Sequence, residues 1–333
     1  MDHYPLPFNM KVLITGAGAL LGQGLIRAVR AASAFRAHIV AVDPSPLAVG
    51  LYWADSASLV PMTSHPSYHN AIRALLGQER PDAVLVGTDV ELAYFAEHRL
   101  ALEREFGTKI VVSNRRVVEI ADDKWKTYQF LKDAGFSYPD SALPGDEAAL
   151  VERVGFPLVV KPRHGARSVG VSLVRTTAEL SRALSAGHEL VVQECVGTNA
   201  TEFTSGLICF EGRCQASITM RRDLRDGNTY RAFPVPDFPC DGELRRIIEA
   251  LGSHGPVNLQ FRMDEGKVKV FEINGRFSGT TPLRGLVGFP EVEMILSYLL
   301  IGTPIVQPTI RTDVILRHWS ETVVPANKVL PAN

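Results

Sequence analysis

The sequence predicts an α/β domain followed by an α+β region, and three observations carry that prediction. Strand patterns alternate with helix patterns over roughly residues 10–115, the signature of a parallel sheet. From about residue 200 to 275 strands and turns dominate, so the chain holds more than one domain. Within that region "FEINGRFSGT" (271–280) spaces Glu272, Asn274 and Arg276 two residues apart. A strand would turn these three to one face, and Phe271, Ile273 and Phe277 to the other.

Taken in order, "MKVLITGAGALLGQGLIRAV" reads as a buried strand, a glycine turn and a helix. "AHIVAVDPSP" is a second strand ending in a turn. "YHNAIRALLGQERPDAVLVGTDVELAYFAEHR" reads helix, strand, helix, and "TKIVVSN" adds a strand. "DDKWKTYQFLKDAG" is a helix with acids at its start and Gly135 as its stop. "SYPDSALPGD" is a loop, and "FPLVVKPRHGARSVGVSLV" is strand, loop, strand. "TTAELSRALSA" is a helix with a Thr cap and Glu179 nearby, and "HELVVQECV" a strand. "EFTSGLICFEGRCQASITM" and "GPVNLQFRMDEGKVKVFEIN" are strand pairs, "EVEMILSYLLIG" a helix, and "TDVILRHWSETVV" a final strand pair or tail.

The 333 residues are 46% hydrophobic and 21% charged, an ordinary globular composition. The net charge of −1, without a Lys or Arg run, argues against a nucleic-acid partner. Cys195, Cys209, Cys214 and Cys240 form no CxxC pair and meet no His at zinc spacing, so they read as thiols of a reducing compartment. No signal pattern and no apolar run near the roughly 20 residues of a bilayer span is visible. The expectation is a cytoplasmic protein without a membrane partner.

Three motifs carry chemistry. "GAGALLG" (Gly16, Gly18, Gly22), with Asp43 ending the second strand, has the form of a dinucleotide fingerprint. Any tight strand-to-helix turn also wants glycines. Tyr128 and Lys132 add a Tyr-x-x-x-Lys pair, but Tyr128 shares an apolar face with Trp125 and Leu131 and reads as core. In "VVKPRHGARSVGV" an apolar strand delivers Lys161 before Pro162, and Gly165, Ser168 and Gly170 let backbone N–H groups face an anion. A polyphosphate under a flap is one reading, a solvated hairpin the other. In "VNLQFRMDEGKVKVFEINGR", a three-residue turn at 264–266 would set Asn258 opposite Glu272, with Gln260 diagonal to it. Gln260, Glu272 and Asn274 then converge as an oxygen set suited to Mg²⁺ with substrate phosphates. Arg276 would hold a transferred phosphoryl group. The plain alternative is a polar outer hairpin face.

Together the motifs resemble the ATP-grasp superfamily, in particular the branch of the carbamoyl-phosphate synthase large subunit and related carboxylate–amine ligases, over about residues 10–305. The resemblance rests on "DDKWKTYQFLKDAGFSYPDS", the 156–171 strand and flap, "VVQECVGTNATEFTSGL" as hinge, and the hairpin with its "GRFSG" exit. It implies a Rossmann-like pre-ATP-grasp domain at 10–118, a small lobe with the phosphate flap at 119–192, a large lobe with hinge and metal hairpin at 193–310, and a C-terminal strand or tail at 311–333. It places Lys124 and Lys161 at the α/β-phosphates and the 164–170 loop, with Gly165, Ser168 and Gly170, over the β/γ-phosphates. Gln193 to Val196, with Glu194, would face adenine, and Glu202 the ribose. Glu272 and Asn274, with Gln260, would hold Mg²⁺ (Mn²⁺ as an alternative ion), and Arg276 the γ-phosphate. Many members have an acid at position 260; the carbamoyl-phosphate synthase type also has Gln, which lowers the charge of one of two metal positions. The N-terminal domain becomes a substrate-facing wall.

The implied reaction is amide or peptide bond formation through an acyl phosphate, with ADP and phosphate released and small carboxylate and amine molecules as partners. Lys161, Arg276 and Arg231 form the expected catalytic set. Arg221, Arg222, Arg225, Arg231 and Arg284 are candidates for a substrate carboxylate, Arg317 a weaker one, and Asp89 and Glu91 for a substrate amine. A homodimer is an allowed assembly. The competing readings are an NAD(P)-dependent reductase or epimerase built on "GAGALLG", and a nucleotide-binding module without turnover.

Overall fold

The computed structural model describes residues 8–165 and 168–331. The N-terminal strands are apolar on both faces and form a parallel sheet. β1 (Phe8–Ile14), β2 (Phe35–Asp43), β3 (Ser56–Leu59), β4 (Ala83–Leu85) and β5 (Lys109–Val111) lie in the order β3-β2-β1-β4-β5. α1 (Leu20–Arg30), α2 (Tyr68–Glu79) and α3 (Leu92–Phe106) cover it. Val12 and Ile14 pack with Leu25 and Ile26, while Leu13 packs with Ile72, Leu76 and Phe95, so alternate residues of β1 feed two cores.

α4 (Arg115–Asp122) and α5 (Lys124–Asp133) lead into the next lobe. There β6 (Ser141–Ala142), β7 (Leu158–Pro162), β8 (Ser172–Val174) and β9 (Leu190–Glu194) form an antiparallel sheet in the order β6-β9-β7-β8. α6 (Glu147–Val154) and α7 (Thr177–Ser185) supply Leu150 and Leu180 to its core. The Thr176 hydroxyl accepts from the Glu179 amide, as the capping pattern predicts.

The third sheet is antiparallel and six-stranded. β10 (Glu202–Phe210), β11 (Arg213–Arg225), β12 (Asn228–Pro234), β13 (Gly255–Asp264), β14 (Lys267–Asn274) and β15 (Ile315–Leu316) lie in the order β14-β13-β10-β11-β12-β15. α8 (Asp241–Leu251) packs Leu244, Ile247 and Ile248 on one face. On the other face Ile208, Phe210, Ile218 and Met220 share a core with Leu25 and Ile26 of α1. α9 (Thr281–Leu286) and α10 (Glu291–Ile301) complete that core through Leu283 and Ile295. The parallel sheet is thereby packed against the six-stranded one.

Two differences from the sequence reading matter. The 200–275 stretch contains α8, whose first turn holds Asp241 and Glu243 and whose stop is left-handed Gly252. The hairpin register also differs. Asp264 pairs with Lys267 across a two-residue turn, Glu265 (φ 48°) and Gly266 (φ 76°), both with the positive φ of a twist-matched turn. Gln260 pairs with Glu272 but Phe261 pairs with Val270, so Phe271 is an extra, bulged residue. The bulge sets Gln260 directly opposite Glu272 and Asn258 opposite Asn274. It also brings Phe271 to the cleft instead of the apolar row.

Candidate functional site

Two cavities, of about 500 and 540 Å³, open on the six-stranded sheet. The first lies between that sheet and the four-stranded lobe, the second between it and the C-terminal edge of the parallel sheet. They share Lys124, Gly165, Arg222, Gly227, Gln260 and Glu272.

Lys161 closes the floor of the first cavity. The end of β7 holds it rigidly, and only 6% of the residue is exposed. Its ammonium donates to Gln193 Oε1 at 2.7 Å and to the Phe271 carbonyl at 3.4 Å, both neutral. Burial, with the nearby Lys124 charge adding, pushes its pKa down to about 7. Lys124 donates to the Gly165 carbonyl at 2.8 Å. Gln193 stands behind Lys161 and donates to Ser141, so its side chain supports the lysine. Glu194, Val196, Ser168 and Gly165 also line this cavity. Ser168 and Gly170 have positive φ (55° and 74°). Of the expected flap, Ala166 and Arg167 lie outside the described residues.

The hairpin forms the wall between the cavities. Glu272 Oε1 accepts from the Gln260 amide (3.0 Å) and the Asn274 amide (2.9 Å). Its Oε2 has no protein partner among the described residues. One carboxylate flanked by two amides, each able to turn its oxygen inward, fits a hard divalent ion that takes its remaining ligands from phosphates and water. Gln260 Oε1 accepts from Arg222 at 2.6 Å and must leave that bond to serve as a ligand.

Glu202 is buried and shared. One oxygen accepts from Arg222 (2.8 Å), the other from Arg262 (2.9 Å). Arg262 also donates to the Val196 carbonyl and to Asn199. Arg262 is absent from the sequence-derived site. Its position on the Asn258–Gln260–Arg262 face was readable, but its reach to the hinge was not.

Several candidates lie elsewhere. Arg284 is 1% exposed and paired with Glu291 at 3.1 Å, and it donates to Asn258 on the polar face of the hairpin; it lines neither cavity. Glu91 accepts from Thr15 (2.6 Å) and Tyr68 (2.5 Å) inside the parallel-sheet domain. Burial holds its pKa above the usual carboxylate range. Arg225 stacks on Tyr230 at an exposed hairpin tip, and exposed Arg231 lies 3.8 Å from Asp223. Neither lines either of these two cavities. β12 turns Arg231 opposite to Ala232, whose side enters the core. Asp89 and Arg276 both line the second cavity, paired with each other rather than separate.

The glycine turn of the N-terminal domain is filled by its own chain. Asp43 Oδ2 accepts from the Gly18 amide at 2.7 Å, and a Cβ on Gly22 would meet the Gly16 carbonyl at 2.1 Å. These glycines serve close helix–strand packing, and the ribose-type acid is spent on the loop.

A buried lysine beneath a four-stranded lobe thus faces a Gln–Glu–Asn hairpin across a cleft between two lobes. Residues 121–280 match the ATP-grasp domain and residues 12–111 the PylC-like N-terminal domain. The chain therefore carries an ATP-grasp domain behind a PylC-like N-terminal domain. It is 25% identical over 319 aligned residues to the carbamoyl phosphate synthase large chain of Methanosarcina mazei, covering 85% of this chain and 29% of that one. The chain thus spans under a third of the length of that relative. Among solved structures, N5-carboxyaminoimidazole synthetase from Staphylococcus aureus complexed with ADP superposes with TM-score 0.72 at 15% identity, over 92% of this chain and 81% of that one. L-amino acid ligase from Bacillus licheniformis gives 0.68 at 16%, over 91% and 76%. No described helix is long and apolar enough to cross a membrane.

Proposed function

We propose that the chain is an ATP-dependent carboxylate–amine ligase that acts through an acyl phosphate on a small carboxylic or amino acid. One observation carries the reading: the two cavities meet at Glu272, Gln260 and Lys124. A nucleotide in the first cavity and an acid in the second would bring γ-phosphorus and carboxylate together there. Lys161 and Lys124 stand where they would hold phosphate oxygens, the latter after releasing Gly165. Glu272, Asn274 and Gln260 would hold Mg²⁺, which when bound neutralises phosphate charge. Arg276 lies beyond them and would orient the transferred group after releasing Asp89.

The carboxylate oxygen attacks the γ-phosphorus, an O–P bond forms, and the bond to ADP breaks. The amine nitrogen then attacks the acyl carbon, loses a proton, and phosphate leaves. Positioning and charge neutralisation suffice for the first step. The N-terminal glycine turn, satisfied by Asp43, speaks against a dinucleotide enzyme. The test is ADP release from ATP and Mg²⁺ with paired acids and amines, beside a thermal shift with NADPH. Release that depends on an acid supports the reading. Stabilisation by NADPH and not by ATP with Mg²⁺ would overturn it, and ATP binding without release for any pair would favour a silent module.

A further inference from the structure

The second cavity contains three arginines, and they differ in one respect. Arg222 has Glu202, and Arg276 has Asp89. Arg317 has no carboxylate within ion-pair distance among the described residues. Its backbone amide donates to the Tyr230 carbonyl at 3.0 Å as β15 joins β12, and Nη2 donates to the Gly279 carbonyl at 2.5 Å. Nε and Nη1 have no protein acceptor among the described residues, and the residue lines the cavity beside Gly279 and Thr280. The guanidinium is partly buried, and burial with the nearby Arg27 charge lowers its pKa. A cation held in this way costs desolvation that no protein charge offsets.

Its carrier is also unusual. After α10 the chain runs back across the molecule with little regular structure. The Arg311 amide donates to the Val287 carbonyl, Trp53 Nε1 to the Thr322 hydroxyl, and the Leu330 amide to the Tyr52 hydroxyl. This strap ties the six-stranded sheet to the N-terminal domain, and Arg317 is the residue it contributes to the cavity.

We propose that Arg317 is a specificity-determining residue that receives a carboxylate which the reaction does not consume, on the activated acid or on the amine. This rests on the ligase reading for the word substrate, but the recognition is a binding property of the cavity. The Nη2 hydrogen not given to Gly279, together with Nε–H or Nη1–H on the same edge, can pair with a carboxylate in fork geometry, and that pairing is lost to an amide. Arg276, already paired with Asp89, is left for the reacting end. The substrate class is therefore dicarboxylic acids or α-amino acids, rather than simple monoacids joined to simple amines.

The experiment is calorimetric titration of the full chain, with and without AMP-PNP and Mg²⁺. The acid-side probes are succinate, glutarate, L-aspartate and L-glutamate, each against its monoamide. The amine-side probes are L-alanine and L-phenylalanine against their amides. At least one carboxylate probe is expected to bind ten-fold or more tighter than its amide. Which set responds tells whether the acid or the amine carries the group. Arg317→Gln keeps a donor for the Gly279 carbonyl and removes the charge; it is expected to bring that ratio below about three-fold while AMP-PNP affinity stays within two-fold. Arg317→Lys should retain part of the ratio. No carboxylate preference in the wild type, or an unchanged ratio in Arg317→Gln, overturns the proposal. Failure of AMP-PNP to bind sinks the ligase reading instead, and the arm without nucleotide still decides the role of Arg317.

Discussion

Two buried basic side chains reach the β13–β14 hairpin, and only one has an acid within ion-pair distance among the described residues. Arg284, sealed beneath Asn258, is held by both oxygens of Glu291 and by the Asn258 side chain. Lys161, at the cleft floor, meets only the neutral Gln193 side chain and a carbonyl. A buried cation with its acid in place is finished structure. A buried cation with neutral partners costs free energy until an anion arrives. The same contrast separates Arg222, paired with Glu202, from Arg317 in the second cavity.

The largest expected effect is structural. Arg284→Met leaves Glu291 buried and unpaired, and unfolding free energy should fall by about 3–5 kcal/mol. Chemical denaturation measures it, and a loss below about 1 kcal/mol would remove Arg284 from the structural side of the comparison. Next is Glu272→Gln, which keeps shape and removes the hairpin's carboxylate. ATP turnover with a productive substrate pair should drop on the order of 100-fold or more, with little change in melting temperature. Asn274→Ala should do the same less severely. A Glu272→Gln protein that turns over normally would break the metal-site reading.

Lys161→Met sharpens the comparison by reversing the sign. Removing a cation that lacks an acid should leave the empty protein as stable or more stable, by about 1 kcal/mol, while nucleotide affinity falls on the order of ten-fold. Parallel denaturation and ATP titration decide this, and destabilisation resembling that of Arg284→Met would show the two cations to be alike.

A pH dependence follows from the same residue. Folding lowers Lys161 from 10.5 to about 7, chiefly through desolvation. Between about pH 7 and 10.5 the unfolded chain therefore binds more protons at this site than the folded one, so this group's contribution to stability rises with pH across that window. Phosphate favours the charged ammonium, so ATP binding at pH 8 should take up protons. Calorimetry in two buffers of different ionisation enthalpy should detect uptake that Lys161→Met abolishes. Equal apparent enthalpies in both buffers would contradict it. The smallest effect belongs to Arg231→Ala: at an exposed position outside both cavities it should change stability by less than about 0.5 kcal/mol and leave turnover unaltered. Impaired use of substrate by this variant would restore Arg231 to the site.

The hairpin was legible because its chemistry is local. Period-two spacing put Glu272 and Asn274 on one face of their strand, and an assumed three-residue turn brought Gln260 near them, diagonal to Glu272 where the structure sets it directly opposite. Phe271 was misassigned because the bulge that turns it is set by how two strands pair, which no single strand records. α8 was missed for a related reason: "DGELRRIIEAL" sits between strand pairs, and its amphipathic face acquires meaning only against β10 and β11. Arginines were least legible. Arg222, Arg225, Arg231, Arg284 and Arg317 look alike in sequence, yet one is sealed with Glu291, two are solvated, and of the two that line the second cavity one is bound to Glu202 and the other has no acid partner among the described residues.

The sequence by itself determined the order of the domains, the strand that presents Lys161, and the residue types of the Gln–Glu–Asn row. Each follows from periodicity, turn chemistry and side-chain chemistry within a few tens of residues. Only the tertiary structure decided which charges are paired. It joined Asp89 to Arg276 across 187 positions, spent Asp43 on its own glycine loop, and brought Arg317 from the C-terminal strap to the second cavity. The reason is physical: whether an ionised group is neutralised depends on distances of a few ångströms between segments remote in the chain, and these are set by packing rather than by local sequence.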